Sequence, residues 1–374
     1  MDHFFQQNNI AWNHVGSLCT DGAPSMLGAK SGFTTLVKKR APHIISNHCA
    51  LHRHALASKT LPEYLKAVLK HVVECVNFIR ARALNHRLFK VLCDEMGSEH
   101  NVLLYHTDIR WLSRGRVLSR VFELRGEIET FLRERKSPLS KHFDDNKFIG
   151  ALAYLTDFFS SLNQLNMQMQ GKSITIVDAR DKIQGFQKKL DLWSIRVQKG
   201  ICANFPAFDD WKVNRNRNEI CDLEVEICQH LAALKSNFAG YFEGVISIST
   251  ALWVTHPFEA RLESIADDDP CKDELIDLQC STTLYSKFIS CNGDFSKFWC
   301  GLVNEFPILT KHALELIVPF ITTYLCEAGF SSLLTIKTKN RNRLNPKDNM
   351  RVALSTTAPR ISEIVSEKQA QKSH

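Results

Sequence analysis

Two acidic residues stand where carboxylates are unusual. Glu327 lies in TTYLCEAGFSSL, residues 322–333, just after an apolar run that stops at Pro319. Around it Tyr324, Leu325, Phe330, Leu333 and Leu334 recur at spacings that give one apolar, buried-looking helical face. A lone acid on such a face is costly unless it is paired or ligates a cation. Asp21 lies in SLCTDGAPSM, residues 17–26, after residues that suit a core strand and before a Gly-Ala-Pro turn. Asp21 can serve as a turn residue and helix N-cap, or as a metal ligand at the end of a strand. Carboxylates suit Mg²⁺, which takes oxygen ligands and bridges phosphates.

Three further groups invite chemistry. Cys49 and His52 in HCALHRH, with His48 and His54, suggest zinc. Structural zinc takes four ligands as two spaced pairs, and no second pair is visible, so a packing role for Cys49 and His52 is the expectation. Arg110, Trp111, Arg114, Arg116, Arg120 and Arg125 follow Thr107 with few acids before Glu123. They predict a basic helix surface for phosphates, or an ordinary solvated face. Lys337, Lys339, Arg341 and Arg343 alternate with polar residues. Such a strip can contact phosphates, act as a nuclear-import signal, or be a soluble loop.

The elements that must position these groups read as mostly helical. A strand ends near Thr20, Ser25 caps a helix running to about Lys39, and a second strand begins at Ile44 and Ile45. Leu65, Val68, Leu69, Val72, Val76 and Ile79 recur at three and four and predict a helix. Another spans 84–96 and closes at Gly97. Residues 102–105 read as a strand, and 110–135 as one helix broken by Ser137-Pro138. Two long amphipathic helices follow, from Phe148 and from Ile176, then a third over 220–238. Sustained e/g charge pairing is missing, so a bundle rather than a coiled coil is expected. Residues 267–270 read as a solvated acidic loop before short helices over 273–280, 284–289 and 295–305.

Composition bounds the class. The 374 residues are 44% hydrophobic and 23% charged, as in an ordinary globular protein. A formal charge of +7 fits a polyanion partner without requiring one. Twelve cysteines are scattered without a C-x-x-C pair. Reduced thiols in the nucleus or cytosol are therefore expected. No apolar run approaches the roughly 20 residues of a membrane span, and we expect neither a membrane nor a small-molecule substrate as partner.

The segments around Asp21 and Glu327, with NHCALHRHAL, TDIRWLSRG, DELIDLQC and ALWVTHPF, resemble the hAT-superfamily transposase domain. The nearest likeness is to domesticated BED-finger-type relatives. The resemblance implies an α-rich α+β fold: a partial RNase H-like core over 1–115, a helical insertion over 116–295, and a C-terminal core helix with the dimerisation segment over 296–374. It implies that Asp21 and Glu327 belong to one Mg²⁺ site for DNA strand cleavage, where two ions activate water and stabilise the leaving oxygen. Such a site needs a third acid upstream of Asp21, and the only candidate there, Asp2, sits in no strand pattern. The site is thus expected to be vestigial, with no cofactor unless activity survives, and the first half of the catalytic domain and the BED finger are read as missing. The likeness further implies that Trp111 stacks on a base, that Cys49 and His52 belong to a C-x-x-H element, and that Phe330, Leu333, Leu334, Leu344 and Leu354 mediate self-association. A nuclear, DNA-associated or protein-interaction module follows as the expected role. The alternatives are an active transposase fragment and a helical scaffold without DNA contact.

Overall fold

The computed structural model describes residues 1–57, 59–104, 111–171, 174–213, 215–246, 252–265, 268–358 and 360–367. The chain is rich in helix, and its described strands are two short ones in a single sheet. It divides into two compact units, 1–322 and 323–374.

In the first unit, strands β1 (Ser17–Thr20) and β2 (Ile45–His48) run parallel, with Ser17 opposite Ile45 and Thr20 opposite His48. Parallel pairing needs a crossover connection, and residues 21–44 supply it. Val37, Ala41 and Ile44 form a small core under this crossover, packed by Trp12, Val15, Leu18 and Phe33. The crossover holds two helices, Pro24–Leu27 and Phe33–Arg40, instead of the single helix expected up to Lys39. The chain folds tightly on itself between them. A Cβ on Gly28 would stand 2.7 Å from the Pro24 carbonyl oxygen, and one on Gly32 would meet the backbone of Gly28. Only glycines admit that approach.

The middle of this unit is a helical bundle. The Glu63–Arg80 helix buries Leu65, Val68, Leu69, Val72, Cys75, Val76 and Ile79, the expected stripe plus one thiol. The next helix, Ala83–Glu95, ends before Gly97, whose φ of +72° suits glycine. At the centre lies Asn146–Gln168, started by the Asp145 carboxylate, which accepts from the Lys147 N–H at 2.9 Å. It packs against Trp111–Glu123, Pro206–Lys212, Glu63–Arg80 and Arg217–Ile246. Ile176–Gln198 opens with a capping box between Thr175 and Asp178 and lies along Arg217–Ile246. Gly150 marks one close approach: a Cβ there would stand 2.7 Å from the Trp211 ring.

Two sequence expectations fail in this region. Residues 101–104 form no strand, and Tyr105 lies outside the described residues. The Val102 carbonyl accepts from the Arg120 guanidinium at 3.0 Å rather than from a neighbouring strand. The single helix expected over 110–135 is two, Trp111–Glu123 and Arg125–Glu134, which meet at buried Leu124.

A further core closes the unit. Trp253, Val254, Cys271, Leu275, Leu278, Phe298, Trp299, Leu309 and Ala313 are its main buried members. The Trp299 indole N–H donates to the Val254 carbonyl at 2.9 Å, satisfying the one polar atom of that ring.

The second unit is a pair of packed helices, Tyr324–Ile336 and Lys347–Leu354, followed by Ile361–Glu367. None of its described residues is buried. The buried face expected around Glu327 therefore does not form: Leu325, Phe330 and Leu334 are exposed. A pair of short helices offers too little opposing surface to cover them.

Candidate functional site

Asp21 directly follows β1, and its carboxylate accepts from the Ala23 N–H at 3.2 Å. The side chain thus closes a local Asx turn. Beside it, the His48 imidazole at the end of β2 lies over Gly22, where a Cβ would stand 2.6 Å from the ring. A side chain at position 22 would push that ring aside. Burial, with Arg53 nearby, pulls the His48 imidazole below its usual pKa.

Cys49 continues β2 and is fully buried, its N–H donating to the Thr20 carbonyl at 2.8 Å. The next residue, Ala50, donates to the Ile321 carbonyl at 2.9 Å, and the Asn47 amide reaches the Phe320 carbonyl at 3.3 Å. The short helix Ala50–Ala57 carries His52 half-buried and His54 buried. His54 stands edge-on to Phe238, and burial lowers its pKa to about 4. The strand end is thereby tied to the bundle and to the chain segment preceding residue 322.

The described members of the arginine series, Arg116, Arg120 and Arg125, do not share one open basic face. Arg110 lies outside the described residues, as do the side chains of Trp111 and Arg114 on the following helix. Arg116 is exposed. Arg120 turns inward, donating to the Val102 carbonyl and pairing with Glu123 at 3.3 Å. Arg125 donates to the Phe122 carbonyl at 2.7 Å and stacks over that residue's ring. Glu123, three residues past Arg120, is the signal in the sequence for the inward turn.

The second unit presents the remaining candidates. Glu327 is exposed and accepts from the Thr323 hydroxyl at 2.9 Å. Asp21 and Glu327 thus belong to different compact units. Lys337, Lys339, Arg341 and Arg343 are all exposed, with a 3-10 turn over Lys339–Arg341. Phe330, Leu334 and Leu354 are 66%, 68% and 45% exposed, while Leu333 and Leu344 are half-buried. Basic and apolar groups therefore share one small unit.

One constellation escapes motif reading. Asp269, Cys271 and His312 gather their ligand atoms within 4.8 Å of one another. His312 is 41 residues from Cys271, so no spacing pattern could announce the pair.

Residues 48–198 match the family model described as the FAM200/GTF2IRD2 helical domain. That match begins at the end of β2 and covers the bundle through Ile176–Gln198. Over 349 residues the chain is 30% identical to General transcription factor II-I repeat domain-containing protein 2 of Bos taurus. The alignment covers 90% of this chain and 35% of the relative, so the chain spans about a third of that protein's length.

Proposed function

We propose that this chain is a nuclear, non-catalytic module descended from a hAT-superfamily transposase, and that it works by self-association through its C-terminal unit. The exposed apolar face of Tyr324–Ile336 carries this reading. Helices of 13 and 8 residues are marginal alone in water, and a unit this small, none of whose described residues is buried, would gain stability from a partner surface. In this reading the partner is a second copy. Phe330, Leu333, Leu334, Leu344 and Leu354 form the contact, and the long helices of the 116–295 insertion receive it.

The parallel β1–β2 pair, its crossover and Cys49 and His52 are then the remnant of an RNase H-like core over 1–115. Asp21 and Glu327 are vestigial ligands that would hold Mg²⁺ only in an active relative. The turn that the Asp21 carboxylate closes with Ala23 supports a structural use of this acid today. Similarity to a protein named for general transcription factor II-I repeats supports the nuclear assignment. The exposed strip Lys337, Lys339, Arg341 and Arg343 supports a contact with nucleic acid.

Light scattering on the full chain tests the proposal. A defined dimer is expected, converted to monomer by Phe330→Ser with Leu334→Ser. A monomeric wild-type chain, or a dimer indifferent to both substitutions, ends it. The non-catalytic part has its own check. With Mg²⁺ or Mn²⁺ the protein should leave DNA carrying terminal repeats intact, and nicking that disappears in Asp21→Asn would contradict it.

A further inference from the structure

Helices Cys271–Cys280 and Pro307–Ile317 pack together at the core built around Trp253 and Trp299. Their register is set by Glu274. Its carboxylate accepts from the Ile308 N–H at 3.2 Å and the Leu309 N–H at 2.6 Å, satisfying two donors that the start of a helix leaves free. This clamp places His312 across from Cys271, with Nδ1 2.7 Å from Sγ. The Asp269 carboxylate accepts from the Cys271 N–H at 2.9 Å, which holds it at the mouth of the same helix. Cys271 is only 1% exposed, while Asp269 and His312 are half-buried. A thiol, an imidazole and a carboxylate therefore converge where a hydrophobic core meets solvent.

The Asp269 carboxylate held at this helix start puts a negative charge beside the sulfur and the imidazole, and the three ligand atoms lie within 4.8 Å of one another, a setting that suits a divalent cation.

We propose that Asp269, Cys271 and His312 form a Zn²⁺ site. One sulfur, one nitrogen and one oxygen ligand match the borderline softness of zinc and are poorly suited to Mg²⁺ or Ca²⁺. Binding displaces the thiol proton to solvent and forms bonds from Zn²⁺ to Sγ, an imidazole nitrogen and a carboxylate oxygen. Tetrahedral zinc bonds separate sulfur and nitrogen by about 3.5 Å, so the His312 ring rotates slightly outward on loading. Water fills the fourth position. The ion fastens the start of one helix to the middle of the other, so the site is a structural staple.

Metal-free full chain titrated with Zn²⁺ against a chromophoric chelator tests this, with Co²⁺ as the spectroscopic stand-in. One tight equivalent is expected, together with a thiolate-to-cobalt charge-transfer band. Cys271→Ser and His312→Gln should each abolish the band and weaken Zn²⁺ binding at least ~100-fold, the upper end for loss of mere supporting groups. Cys280→Ser and Cys300→Ser, at exposed positions, should leave both unchanged. X-ray absorption of the zinc-loaded wild type gives a readout that does not depend on any variant folding. A shell of one sulfur with nitrogen and oxygen neighbours is expected. No tight binding, binding insensitive to both ligand substitutions, or a shell with no sulfur or more than one overturns the site.

Discussion

Two helices of similar apolar content have opposite fates in this chain. Asn146–Gln168 buries thirteen residues, among them Tyr154, Phe158, Phe159 and Leu162, against helices on several sides. Tyr324–Ile336 buries none, although it carries Tyr324, Leu325, Phe330, Leu333, Leu334 and Ile336. Periodicity states which face of a helix wants cover. What covers it depends on how much chain folds around it. The first helix has most of a 322-residue unit at its disposal, and the second has 52 residues. The difference separates a part of the molecule that supplies stability from one that is free to supply contacts.

The largest effect should come from emptying the first helix. Phe158→Ala removes a fully buried ring that packs on Tyr154, Phe159 and His230. Loss of about 3–5 kcal/mol of unfolding free energy is expected, measured by urea denaturation. Phe330→Ala on the second helix should change the stability of the monomeric chain by under ~0.5 kcal/mol. Equal costs for the two would erase the distinction between these helices.

Legibility follows the same line. The Glu63–Arg80 stripe, the stop at Gly97 and the two strands flanking a crossover are readable in the sequence, because each rests on local periodicity or turn chemistry. The break at Leu124 and the loss of the 102–105 strand are not, since both depend on where Arg120 finds an acceptor. The exposure of Tyr324–Ile336 is hidden because periodicity carries no information on how little chain folds with it. The Asp269, Cys271 and His312 cluster is hidden differently: helix packing, not sequence spacing, brings it together.

A middle-sized effect concerns acid. His230 is buried in the bundle, its Nδ1 2.8 Å from the Tyr154 hydroxyl, and burial lowers its pKa from 6.5 to about 3. The unfolded chain takes up this proton near pH 6.5 and the folded chain only near 3. Stability from this group is therefore complete above pH 6.5 and falls by about 1.4 kcal/mol per pH unit below it. His54, lowered to about 4 by burial, acts in the same direction. Asp157 acts oppositely: burial raises its carboxyl from 3.8 to about 6, so its protonation favours the folded chain as pH falls through that range. A single substitution isolates one histidine from this sum. Between about pH 7 and pH 5, wild type should lose about 2 kcal/mol more than His230→Gln. Parallel pH profiles for the two proteins would show that His230 is not held neutral by the core.

The smallest effect on stability should fall on the basic strip, and there the comparison becomes functional. Lys337, Lys339, Arg341 and Arg343 are exposed side chains on a unit whose described residues include none that is buried. Each single replacement by Ala should change unfolding free energy by less than ~0.5 kcal/mol, as surface changes of this kind usually do. Arg120 on the bundle is different, because its guanidinium is engaged by Val102 and Glu123. Its loss would register as instability rather than as weaker binding. Binding to duplex DNA separates the two classes through salt. Each phosphate contact adds about 0.9 to the slope of log affinity against log salt, so a strip using all four residues should lose about 3.6 of slope in the quadruple variant. An unchanged slope with unchanged stability would remove nucleic acid from the role of this strip and leave the C-terminal unit as a protein contact alone.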